Sequence, residues 1–139
     1  MQDETIIDLS QYRLNRSADD LEAARIMIEA GKHNAAANRA YYSIFHAMRS
    51  VLVLDKKDYS KHSAVISFFS KDYILTGHFD RDFSKTIRLA EALRSSSDYT
   101  DYQDTTPEEA YEIIQRATKF HDATKTYLRK RFDELQSAE

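Results

Sequence analysis

Two glycines, at positions 31 and 77, and one proline, at 107, are all that 139 residues offer for tight turns. A sheet-rich chain needs such residues at every hairpin, because their backbones reach conformations that other residues avoid or are locked into turn geometry. The scarcity predicts an all-α fold. The length suits a single domain, 1–139, large enough to bury a core.

Periodicity divides the chain into helices. The first 15 residues lack a clean apolar repeat and are expected to form an N-terminal arm. Ser17 is the expected cap of a first helix through about Ala30, with Leu21, Ala24 and Ile28 facing inward and Gly31 ending it. A second helix, from Asn34 to about Leu54, is apolar on nearly every side, which places it at the centre of a bundle. Ser60 or Ser63 opens a third helix that Gly77 closes. Asp80 caps a fourth, with Phe83, Ile87, Ala90 and Leu93 as its stripe, fraying into the loop-like "SSSDYTDYQDTT". In "TTPEEA", Thr106 is an N-cap, Pro107 the first helical residue and Glu109 the reciprocal member of a capping box, so one long last helix starts there. The expectation is an up-and-down bundle of four to five helices.

Several chemistries have no residues to run on. Cysteine is absent, which removes disulfides, thiol catalysis and cysteine-ligated zinc. Glycine-rich phosphate loops cannot be built from two separated glycines. The five histidines contain no i, i+4 pair and no Glu-x-x-His element, so neither a metal nor another cofactor is expected. The N-terminal stretch has no basic and apolar leader pattern, and no apolar run approaches a membrane span, so a cytoplasmic protein without membrane contact is expected. The net charge of -3 gives no global attraction to nucleic acid, so any such binding needs a local basic patch. Lys56, Lys57 and Lys61 form one cluster, and Lys125, Arg129, Lys130 and Arg131 another; either can equally serve to offset helix dipoles.

The stretch "NRAYYSIFHAMRS", residues 38–50, sets Arg39 and His46 seven residues apart, two turns along one stripe. A guanidinium beside an imidazole is the minimum kit for cutting a phosphodiester without metal: the imidazole moves a proton from a ribose hydroxyl and the arginine stabilises charge on phosphorus. Tyr42 can stack a base. The same pair can instead bind carboxylates and only fix helix packing. About one Arg-x4-6-His spacing is expected by chance, and two occur, Arg39 to His46 and Arg116 to His121.

Four segments in order, "AARIMIEAGKHNAAANRAYYSIFHAMRSVL", "SKHSAVISFF", "ALRSSSDYTD" and "TPEEAYEIIQRATKFHDATKTYL", give the chain its resemblance to the HEPN domain family, in the small stand-alone prokaryotic form, over about residues 15–130. The resemblance implies a dimerising helical bundle, often paired with a minimal nucleotidyltransferase in toxin-antitoxin systems, and in many members a metal-independent ribonuclease with an Arg-x4-6-His motif at the dimer cleft. In "RSSSDYTDY", Arg94 matches the motif arginine and Ser95 its polar neighbour, while Tyr99 stands where the histidine belongs. Arg94, Tyr99, Arg39 and His46 are thus the candidate catalytic residues. Ser95, Tyr42, Asp98 and Tyr102 are the candidate RNA or nucleotide contacts. In related toxins a tyrosine just after the motif can be nucleotidylated by the partner, and the resemblance makes Tyr99 and Tyr102 the candidates for this. The competing expectation is a non-catalytic module that binds RNA, a nucleotide or a nucleotidyltransferase.

Overall fold

A computed structural model describes residues 3–99 and 104–138, without the side chains of residues 3 and 96–99. It contains five α-helices and, among the described residues, no strand: α1 (Asp3–Glu29), α2 (His33–Leu52), α3 (His62–Phe69), α4 (Asp82–Tyr99) and α5 (Pro107–Ser137). A 3-10 turn, Val53–Asp55, extends α2, and a π turn, Ser70–Ile74, extends α3.

Contact pairs fix the helix directions. Ser10 donates to the Ser50 carbonyl at 2.7 Å, Ser17 meets Ser43 at 3.1 Å, and Arg39 donates to Asp20 at 3.0 Å. Numbers rise on α1 as they fall on α2, so the two helices are antiparallel. The pairs Ser17 with His121, at 2.9 Å, and Arg25 with Thr118, at 3.1 Å, make α1 antiparallel to α5 as well. It follows that α2 and α5 run parallel, and both ends of that pair are tied. Asn34 binds the backbone N–H of Thr105 and the carboxylate of Asp104 next to the start of α5, and Arg131 near its end binds Asp55 beyond α2.

The core follows from the apolar α2. Ala36, Ala37, Ala40, Tyr41, Ile44, Phe45, Ala47, Met48, Val51 and Leu52 are all buried. Alanines at 36, 37, 40 and 47 let neighbouring helices approach closely, and the larger residues fill the remaining space. A second knot of rings, Phe69, Phe79, Phe83 and Phe120, joins α3, α4 and α5 with centroids 5.0 to 5.5 Å apart along Phe79–Phe69–Phe120–Phe83. Burying such rings contributes several kcal/mol each to stability.

Local structure departs from the expected boundaries in four places. Instead of an arm before Ser17, α1 begins at Asp3, and Ile6, Ser10, Arg13, Leu14, Ser17, Asp20, Leu21 and Ala24 form one buried stripe. Ser17 is therefore a buried residue in mid-helix, bonded to Ser43 and His121, and not a cap. Residue His33 opens α2, leaving the Asn34 side chain to hold the Asp104–Thr105 segment. Finally, α4 continues to Tyr99, so the segment from Ser95 to Tyr99 is helix and not a frayed loop. The predicted capping box is present: Thr106 Oγ1 accepts from the Glu109 N–H at 3.1 Å and Glu109 accepts from the Thr106 N–H at 2.9 Å, with Pro107 in the first turn.

Candidate functional site

The ring of Tyr42 is the meeting point. Arg39, one turn earlier on α2, places its guanidinium carbon 5.0 Å from the ring centroid. From α4, the Arg94 guanidinium lies 5.9 Å from the same ring and 5.0 Å from the ring of Tyr41. The imidazoles of His62 and His46 lie 5.8 and 6.3 Å from Tyr42. Two permanent cations and two titratable rings thus surround one phenol within a single protomer, each cation-π contact contributing about 0.5–2 kcal/mol. The Arg39 side chain is 39% exposed, which leaves it within reach of a solvent-borne anion.

Asp20 of α1 sits beneath this cluster. One of its oxygens accepts from Arg39 at 3.0 Å, and the other lies 3.5 Å from His46 Nε2. Burial raises the Asp20 carboxyl above the ordinary carboxylate range, with Arg39 pulling the other way. Burial also pushes His46 down to about 4, and the surrounding arginines 16, 49, 13 and 39 push in the same direction. The imidazole is therefore neutral near pH 7, and its approach to Asp20 is a polar contact between α1 and α2, not an ion pair.

His62 is the member that spacing arguments do not select. It is the first residue of α3, directly after the 56–61 connection, and packs its ring 4.3 Å from Phe45. Its Nδ1 is 2.8 Å from the hydroxyl of Tyr41. Burial lowers its pKa, helped by the positive charge of Arg94 and opposed by Glu91. Tyr41 itself is pushed up to about 12, chiefly by burial, and stays protonated. Ser95 follows Arg94 on α4 and is half-buried. Tyr102 lies outside the described residues, as do the side chains of Asp98 and Tyr99 at the end of α4.

Away from this cluster, a concavity of about 990 Å³ lies beyond the C-terminal end of α2 and joins parts of the two lysine and arginine clusters, with Lys57, Lys130, Arg131, Tyr73, His78 and Tyr127 on its walls. Its cations are largely engaged: Lys57 binds Asp72 at 2.8 Å and Arg131 binds Asp55 at 2.9 Å, while Tyr73 also donates to Asp55. Burial works against the Asp55 charge, but the bonds from Arg131 and Tyr73 outweigh it and hold the carboxyl below its usual range. Among the described residues, no three His, Cys, Asp or Glu side chains converge as metal ligands, and no helix is long and apolar enough to cross a membrane.

Comparison with known proteins shows what the chain is similar to. A HEPN domain family model matches residues 10–127. A candidate toxin of Methanocaldococcus jannaschii is 33% identical over 120 residues, covering 86% of this chain and 89% of the relative. A UPF0332 protein of Archaeoglobus fulgidus is 27% identical over 124 residues, 89% of this chain and 98% of its own, and one of Thermotoga maritima is 26% identical over 113 residues, 81% and 86%.

Proposed function

This chain belongs to the HEPN family, and on that premise we propose that it is a toxin-type, cytoplasmic protein that binds single-stranded RNA at a cleft between two copies of itself and cuts it without metal. The observation that carries the reading is the placement of two guanidiniums, Arg39 and Arg94, on one tyrosine ring. Such a pair recognises a phosphate while the ring offers a stacking face for a base. The stacking face favours unpaired RNA over duplex, whose bases are not open to stacking. The kinship with a protein named as a candidate toxin supports the same direction. A minimal nucleotidyltransferase is the expected partner, because this family is often found in such pairs.

In the reaction, the ribose 2′-oxygen attacks the adjacent phosphorus and the 5′-oxygen leaves. Negative charge grows on the non-bridging oxygens, where the arginines stabilise it without first having to reorganise solvent. The purified protein, incubated with mixed-sequence RNA in EDTA, is expected to give fragments ending in cyclic phosphate, and Arg94→Ala is expected to abolish them. A second reading, a non-catalytic RNA or nucleotide module, draws support from Tyr99 at the motif histidine's position. Unchanged RNA binding with no cleavage by the wild-type chain would establish it in place of the first.

A further inference from the structure

We propose that His62 supplies the imidazole of this site, its Nε2 taking the proton from the attacking ribose 2′-hydroxyl of an RNA strand. The assignment rests on the nuclease reading above and goes beyond it by naming a residue outside the family's motif position.

Elimination and geometry agree. Of the other histidines, His46 turns Nε2 toward the buried carboxylate of Asp20. His121 is fastened to Ser17 on the α1–α5 side of the bundle. His78 lies in the groove beyond α2, and His33 lines a hollow with Asp104 and Thr105. Only His62 combines proximity to the tyrosine and arginine cluster with a nitrogen left over for substrate. Its Nδ1 is occupied by the Tyr41 hydroxyl, and its Nε2 has no partner within the described residues and is not a buried atom. Arg94 lies over the ring of that same Tyr41. The motif arginine and this imidazole are thus mounted on adjacent surfaces, one from α4 and one from α3.

The Tyr41 contact accommodates the tautomer that the proposal requires. When Nδ1–H donates to the phenol oxygen, the lone pair sits on Nε2, ready to accept. A neutral imidazole at pH 7 is the form that a base requires, and burial beside Arg94 favours it. In the step itself the O2′–H bond breaks and the proton goes to Nε2. The O2′–P bond forms as the P–O5′ bond breaks, giving a 2′,3′-cyclic phosphate. The departing 5′-oxygen takes up a proton from the resulting imidazolium. No oxidant, metal or co-reactant enters.

The test uses the full chain and a fluorophore- and quencher-labelled single-stranded RNA in EDTA. His62→Ala is expected to lower the single-turnover rate by about 100-fold or more with RNA affinity by anisotropy unchanged, and added free imidazole is expected to restore part of the lost rate. His62→Gln keeps the ring's approximate size and hydrogen bonding, so it carries the test if the alanine variant does not fold; it should be equally slow and insensitive to imidazole. Tyr41→Phe is expected to give a smaller loss, marking it as a positioning residue, together with an altered pH profile. If both His62 variants cleave at the wild-type rate while Arg94→Ala does not, His62 is a packing residue and the nuclease reading stands alone. If the wild-type chain leaves RNA intact in EDTA, the nuclease reading falls and this assignment with it.

Discussion

Asp20 serves two neighbours with one carboxylate, and it decides how the buried polar seam between α1 and α2 responds to acid. His46 has an ordinary pKa of 6.5 and is held at about 4 in the folded chain. As pH falls below 6.5, the unfolded chain takes up a proton that the folded one refuses, so stability is lost progressively down to about 4. His62 and His121 are shifted the same way and add to the loss. Asp20, raised in the fold, protonates more readily there and offsets part of it. Urea unfolding across this interval is expected to show a decline of about 1–3 kcal/mol from His46, and a correspondingly shallower slope in His46→Gln. Spacing alone puts Arg39 and His46 on one stripe, but it could not reveal Asp20, which reaches them from another helix. His62 was hidden for the same reason: its partner Tyr41 lies 21 residues away across a turn.

Two helix ends are built alike from unlike residues. Gly31 (φ +77°) ends α1, with its N–H bonded to the Ile28 carbonyl and that of Lys32 to Met27. Lys56 (φ +60°) ends the α2 extension in the same way, with its N–H bonded to Val53 and that of Lys57 to Leu52. Left-handed backbone suits glycine and strains lysine. Lys56→Gly is therefore expected to raise the unfolding free energy by up to about 1 kcal/mol, and Gly31→Ala to lower it by about the same amount, both read from urea midpoints. A methyl at Gly31 meets no atom within 4 Å, so that loss would come from the backbone alone. Glycine made the end of α1 legible, as the capping box did for the start of α5. The beginning of α1 was illegible because Ser10, Arg13, Ser17 and Asp20 occupy core positions. They are stable there through hydrogen bonds and ion pairs to other helices, which no hydropathy pattern records.

At the scale of the molecule, a net charge of -3 has to be overcome locally for RNA to bind. Each guanidinium that neutralises a phosphate releases counterions, so Arg39→Ala and Arg94→Ala are each expected to reduce the slope of log affinity against log salt by about 0.7 for a single strand. An unchanged slope in either variant would mean that its guanidinium does not meet phosphate. The all-α class was readable from the near absence of turn-forming residues, because that limit acts on the whole chain at once. The convergence of α2, α3 and α4 on Tyr42 was not, since it depends on how finished helices dock. The π turn at Ser70–Ile74, where the Leu75 N–H reaches back five residues to the Ser70 carbonyl at 2.9 Å, bears on that docking. Losing one residue from an α-helix turns everything beyond it by about 100°, and would swing a whole flank of side chains out of register. A π turn already carries the surplus residue. Excision of one residue there can heal into ordinary helix, so a shorter end of α3 is compatible with the same bundle.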